Sequence, residues 1–152
     1  MTSKEALERI RDHLDKRSGH SVFLTERMAR RWWNLCNVAL FENKLYPPSH
    51  ILVVPDKDWG YCSVGPAKEI TIAINSEIQK RGTFLATLIH EMVHQWEQET
   101  YGVMGHGKRF FKWKDQIEKK LGLDIHIDID EEDYYAYGQK QLYKRRHKGP
   151  KR

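Results

Sequence analysis

The chain has 152 residues, of which 39% are hydrophobic and 31% charged, which predicts one soluble globular domain with a modest core. No window is long and apolar enough to span a membrane, and residues 1–9 lack the apolar stretch that a secretory signal needs. The two cysteines, Cys36 and Cys62, lie far apart and are expected to be free thiols in a reducing compartment. We therefore expect an intracellular protein, cytoplasmic or, in a eukaryote, nuclear, that is neither secreted nor bound to membranes.

Two helices are predicted at the start of the chain. Thr2 and Glu5 make a capping-box pair ahead of apolar residues at helical spacing, which predicts a helix that ends near Lys16. Thr25 can cap a second helix that runs to Leu40.

Strand-like patterns replace the helical ones in the middle of the chain. Three short runs are separated by turn residues, at positions 51–54, 61–64 and 70–74. Thr83 can cap a long central helix from about Phe84 to Thr100, and a last helical pattern covers residues 108–121. The acidic residues 124–133 could form an edge strand or a loop. These patterns predict an α+β fold, with helices packed on a small antiparallel β-sheet of about three strands.

The central helix carries a metal-site motif. Residues 88–96 read LIHEMVHQW, with His90 and His94 four apart and Glu91 directly after the first histidine. Residues four apart on a helix point nearly the same way, about 6 Å apart along the axis, so both imidazoles can bind one ion. The apolar residues face the opposite side, so we expect the histidines to look into a cleft. Glu91 would lie beside the ion as a base, and two ordinary surface histidines are the alternative.

A catalytic zinc has three protein ligands and one open position. His106 is the candidate for the third ligand, because Gly105 and Gly107 let the backbone turn sharply around it. Phe110 can anchor the following helix in the core and fix the approach of the His106 ring.

Other side chains are weaker candidates for the metal. Glu97 shares a helix side with His90, but a supporting or solvent-exposed role suits it better, and His126 lies in the acidic segment. The remaining histidines are predicted at the surface: His13, His20, His50 and His147. Tyr101 could donate a hydrogen bond to an oxyanion or serve only in packing.

The two motifs together indicate a family. His90-Glu-Met-Val-His94 followed by His106-Gly-Lys-Arg-Phe110 resembles the SprT-like zinc metallopeptidases, which include the Spartan proteases that degrade DNA-crosslinked proteins. The resemblance covers about residues 30–123. It implies a zincin-like core with the metal site on a central helix, Zn²⁺ held by the three histidines, and Glu91 as general base. Many relatives carry a four-cysteine zinc ribbon, which a chain with two distant cysteines cannot build.

The resemblance also implies a function. A zinc-dependent endopeptidase would act on protein or peptide substrates that are associated with DNA or crosslinked to it. One alternative is a small intracellular zinc peptidase with no role on nucleic acid. The other is a non-catalytic DNA-binding module stabilised by a metal, although structural zinc sites usually have four protein ligands.

The net charge of +5 is concentrated at the C-terminus. Residues 1–137 are expected to form the peptidase domain, and residues 138–152 a basic, flexible tail. The tail offers contacts to the phosphates of single-stranded DNA, and a merely solubilising tail is the alternative. Its candidate nucleic-acid-binding residues are Lys140, Lys144, Arg145, Arg146, Lys148, Lys151 and Arg152.

Overall fold

The computed structural model describes residues 1–17, 23–79 and 81–121. The elements of these ranges, in chain order, are α1 (Ser3–Arg17), α2 (Glu26–Leu40), β1 (His50–Val54), β2 (Gly60–Val64), β3 (Ile70–Asn75), α3 (Arg81–Tyr101) and α4 (Lys108–Leu121). The predicted α+β class is confirmed. None of the helices in this part of the chain is long and apolar enough to cross a membrane. The acidic residues 124–133 and the basic tail 138–152 lie outside the described residues.

Local capping explains where the first two helices begin. At α1, Thr2 N–H donates to Glu5 Oε1 at 2.9 Å and Glu5 N–H donates to Thr2 Oγ1 at 3.1 Å. At α2, Thr25 Oγ1 accepts a hydrogen bond from Met28 N–H at 3.1 Å. Both predicted caps are confirmed. The cap predicted at Thr83 is wrong, because α3 begins two residues earlier and Thr83 lies within its first turn.

The sheet has three strands in the order β1-β3-β2, and it is mixed. β2 pairs with β3 in antiparallel register, as predicted, but β1 pairs with β3 in parallel. The prediction of a wholly antiparallel sheet is therefore wrong in this detail. The reason is that β3, the most apolar strand and buried at nearly every residue, takes the central position, where both faces of a strand can be covered.

α3 is the central helix and is buried along most of its length. It packs against β2 and β3 of the sheet and against the other three helices. A buried polar link fixes it to α2, because Trp33 Nε1–H donates to Gln95 Oε1 at 3.1 Å. Gln95 Nε2–H in turn donates to Tyr46 O at 2.6 Å, which holds the chain between α2 and β1 against α3.

Stacked aromatic rings join α4 to α3. The rings of Trp96 on α3 and Trp113 on α4 lie 4.6 Å apart and are nearly parallel, at 6°. Phe110 on α4 is fully buried, and burying such a side chain stabilises the fold by roughly 1.5–3 kcal/mol. This packing fixes α4, and therefore the loop that precedes it, against the C-terminal half of α3.

Candidate metal centre

Three imidazoles converge on one point. His90 and His94 lie on α3, one helical turn apart, and His106 lies in the loop between α3 and α4. Their Nε2 atoms are separated by 3.2 Å (His90–His94), 3.0 Å (His94–His106) and 3.0 Å (His90–His106). The structure therefore brings together the three residues that the sequence singled out as metal ligands, as a group that could hold a metal ion.

The donor set fits a metal ion better than it fits hydrogen bonding. A neutral imidazole Nε2 carries either one proton or one lone pair, so three such atoms cannot make hydrogen bonds along all three edges of a triangle. One cation at the centre would accept all three lone pairs. In tetrahedral zinc sites with Zn–N of about 2.0–2.1 Å, ligand nitrogens lie about 3.3 Å apart. The spacing here, 3.0–3.2 Å, is close to that value.

The cluster supplies three protein ligands from the described residues. Within residues 1–17, 23–79 and 81–121, it consists of three histidines and takes in no cysteine, aspartate or glutamate. Three protein ligands with one open position are typical of catalytic zinc, whereas structural zinc is usually closed by a fourth side chain. His126, the weaker rival ligand, lies outside the described residues.

The loop after α3 carries His106 back over the helix. α3 ends at Tyr101, and Gly102 follows with a φ of +74°, a conformation that glycine adopts without strain. Glu97 Oε1 then accepts a hydrogen bond from Gly105 N–H at 3.0 Å. This bond ties the loop to α3 immediately before His106, so Glu97 supports the site instead of joining the cluster.

Phe110 closes the site from the side of α4. Its ring centroid lies 4.7 Å from the rings of His90 and His94 and 4.8 Å from that of His106. The sequence predicted that Phe110 would anchor α4, and it also limits the rotation of all three imidazoles.

Burial holds the two helical histidines in the neutral form. His90 and His94 are 6% and 8% exposed, so both side chains are buried. Burial, followed by the nearby His106, lowers the pKa of His94 to about 3. Burial, followed by His94 and His106, also lowers the pKa of His90 well below its ordinary value. Neutral imidazole is the form that binds a metal, so protons compete little with a metal at neutral pH.

Glu91 is a buried carboxyl group at the edge of the cluster. It is 4% exposed, and its Oε2 lies 4.0 Å from His90 Nε2. Burial and, secondarily, the charge of Asp58 raise the pKa of Glu91 to about 8. A cation held by the three imidazoles would lower that pKa, because it favours the carboxylate.

Sequence reasoning missed the residue that brings the sheet next to Glu91. A Cβ added at Gly60, in β2, would lie 2.8 Å from Ala73 O, 2.9 Å from Thr87 Cγ2 and 3.4 Å from Glu91 Oε2. Only glycine therefore allows β2 to lie this close to α3. A glycine in a strand often marks such a close approach, but the predicted strand began at residue 61, so Gly60 fell just outside the pattern.

The other candidates lie outside the cluster. The Tyr101 ring packs between Trp96, at 5.6 Å, and the Arg109 guanidinium, at 3.9 Å, so the contacts observed for it are packing contacts. His50 is exposed, as predicted, but His13 is partly buried, with its ring 4.3 Å from that of Trp32. His20, His147 and the basic residues of the tail lie outside the described residues.

Comparison with known proteins identifies the family of the chain. A family model described as the SprT-like family matches residues 7–131. A search of curated proteins found no match. The matched region includes the three clustered histidines and Glu91, and it covers well over half of the chain. The protein belongs to the SprT-like family.

Proposed function

We propose that the protein is a zinc-dependent endopeptidase that cleaves DNA-associated or DNA-crosslinked proteins. The observation that carries this proposal is the triangle of three Nε2 atoms, 3.0–3.2 Å apart, beside one buried carboxyl group. Membership of the SprT-like family supports a metallopeptidase domain. A set of three imidazoles with an open position favours zinc among the common metals.

Each residue has a separate role in the proposed reaction. His90, His94 and His106 would hold the zinc through Nε2. When bound, zinc supplies Lewis acidity, which polarises a carbonyl and makes a water nucleophilic near neutral pH. Glu91 accepts the proton of the attacking water and passes it to the departing amine. Its position suits both transfers, because Glu91 Oε2 lies 4.0 Å from His90 Nε2, and a cation held there would keep the carboxyl ionised and ready to accept a proton.

The sheet supports an extended peptide as substrate. β2 is an edge strand that pairs with β3 on one side only among the described residues. Its first residue, Gly60, lies beside Glu91, so a peptide that added a strand to this edge would pass close to the base. Trp59 and Tyr61, on either side of Gly60, are 48% and 39% exposed and could contact the side chains of such a peptide.

The experiment that tests the function compares wild type with Glu91→Gln. The amide has nearly the same shape but cannot accept the proton, so we expect the variant to keep its zinc and to lose cleavage of an unfolded protein such as casein. Zinc is measured by mass spectrometry on the same samples. Wild-type cleavage by the Gln variant would refute the role of Glu91, and absence of zinc from both proteins would refute the metal site.

A parallel reaction tests the DNA component of the proposal. Cleavage of a DNA-binding protein such as a histone is measured with and without single-stranded DNA. Stimulation by DNA is the expected result. Equal rates in both reactions would favour a peptidase with no role on nucleic acid.

A further inference from the structure

A second candidate site lies away from the metal centre, between α1, α2 and the first residue of α3. It is a cavity of about 330 Å³, within the range of small-ligand pockets, roughly 300–1,000 Å³. Its described lining consists of Arg9, His13, Phe23, Met28, Arg31, Trp32, Leu35 and Arg81. We call it the arginine pocket.

Three helices each contribute one positive charge to this pocket. Arg9 comes from α1, Arg31 from α2 and Arg81 from α3, and no aspartate or glutamate belongs to the described lining. None of the three guanidinium groups forms an ion pair with a carboxylate of the described residues. Like charges that line one pocket repel one another, and an anion that binds among them reduces this repulsion. Guanidinium groups match the geometry of phosphate oxygens in particular.

The pocket also contains flat aromatic surface. The Trp32 ring is partly buried on α2 and lies 4.3 Å from the His13 ring, tilted by 51°. Phe23, just before α2, is 86% exposed. Aromatic side chains next to a cationic surface are the usual means by which proteins stack nucleobases while holding the backbone phosphates. An inorganic anion would use the arginines alone and leave this aromatic surface without a function.

We propose that the arginine pocket binds a nucleotide unit, with phosphate on Arg9, Arg31 and Arg81 and the base against Trp32. The proposal goes beyond the peptidase function, since no pocket residue belongs to the metal centre and binding needs no metal. The same chemistry could come from a free nucleotide or from one unit of a single strand. Either ligand would dock through the body of the protein, independently of the basic tail.

Binding to a labelled oligothymidylate, measured by fluorescence anisotropy over a range of salt concentrations, tests the site. The variant combines Arg31→Gln with Arg81→Gln, and the matched control is Lys112→Gln, an exposed position on α4 outside the pocket. Each phosphate contact contributes about 0.7 to the slope of log K against log salt for a single strand. We expect the double variant to lower that slope by about 1.4 and the affinity by roughly ten-fold or more, with much smaller changes in the control.

Competition experiments identify the source of the ligand and test the role of the base. Thymidine monophosphate and inorganic phosphate, which carry similar charges, are each titrated against the oligonucleotide bound to the wild-type protein. Displacement by the nucleotide at much lower concentration than by phosphate supports base recognition, and equal displacement at matched charge overturns it. If the free nucleotide binds as tightly as the oligothymidylate, the ligand of the pocket is a free nucleotide. If the double variant and the control bind alike in every reaction, the site is overturned. The peptidase proposal is unaffected by that result, because its test measures cleavage and zinc.

Discussion

Glu91 and Glu97 are both buried carboxyl groups on α3, each 4% exposed, yet their surroundings differ. On the side of α3 near the sheet, Glu91 lies beside Gly60 and receives no hydrogen bond from a described residue. On the side near the α3–α4 loop, Glu97 accepts the Gly105 N–H at 3.0 Å. Burial raises the pKa of Glu97 as well, but the Gly105 hydrogen bond, Arg109 and His106 act in the opposite direction.

The comparison indicates that burial alone would not make a carboxylate a base. Glu97 uses an oxygen to hold the loop that presents His106, so it stabilises the metal site through the backbone. Glu91 keeps both oxygens for other partners and lies 4.0 Å from His90 Nε2. Two identical side chains on one helix are thus assigned different roles by whether a backbone donor reaches them.

The largest expected difference between the two positions is the effect on the cleavage rate when each glutamate is replaced by glutamine. Glu91→Gln should lower the cleavage rate by about 10²–10⁴-fold, the usual contribution of a general base. Glu97→Gln keeps an amide oxygen for Gly105 N–H and should stay within a few-fold of wild type. Both rates are measured at saturating zinc. Equal losses at the two positions would show that Glu91 and Glu97 do not have different roles.

Removing the hydrogen-bond acceptor at position 97 should instead weaken the binding of zinc. Glu97→Leu has a similar volume but leaves the Gly105 N–H without its partner, so the loop no longer fixes His106. We expect zinc affinity to fall by about 10–100-fold, as for other residues that orient metal ligands. A competitive chelator titration measures the affinity, and Glu97→Gln is the control that should recover most of it. An unchanged zinc affinity in Glu97→Leu would show that the hydrogen bond between Glu97 and the loop does not contribute to metal binding.

Gly60→Ala tests the region near Glu91. The new methyl would meet Ala73 O and Thr87 Cγ2 at under 3.0 Å, so β2 must move away from α3. We expect a loss of stability of roughly 1–2 kcal/mol by denaturant unfolding and slower cleavage with unchanged zinc affinity. Ser63→Ala, at an exposed position of the same strand, is the control. A Gly60→Ala protein with wild-type stability would show that this close approach is not required.

The smallest expected effect is a pH dependence of the metal-free protein. The pKa of Glu91 is raised to about 8 in the folded state, so this group keeps a proton that the unfolded chain has lost. Stability must therefore fall as pH rises between about 7 and 8, by roughly 0.5–1 kcal/mol per unit, because above about pH 7 the histidines are mostly neutral in the unfolded chain as well as in the folded protein. Unfolding at several pH values measures the slope. Glu91→Gln should abolish it, and a slope that survives the substitution would exclude Glu91 as its source.

Local signals made much of the fold predictable. The Thr2–Glu5 and Thr25 caps and the apolar stripe of α4 depend on residues a few positions apart, and the predicted helices match. The strand pairing depends on contacts between distant segments, so the sequence did not reveal that β3 lies between β1 and β2. The start of α3 was also predicted wrongly. Thr83 is a residue type that often caps helices, but here the helix begins at Arg81 and includes it.

The metal centre was predictable to a similar extent. The spacing of His90 and His94 and the glycines around His106 indicated the cluster directly. The support from Glu97 and the approach of Gly60 depend on how the loop and the sheet meet α3, which no local pattern encodes. The same holds for the arginine pocket, whose three charges come from residues up to 72 positions apart.

The most direct test of the account is zinc K-edge X-ray absorption on zinc-loaded wild-type protein and on His106→Ala. We expect three imidazole nitrogens and one solvent oxygen at about 2.0–2.1 Å from the zinc in the wild type, and one imidazole fewer in the variant. A sulfur ligand, a fourth protein side chain, or an imidazole count that does not change in His106→Ala would contradict it.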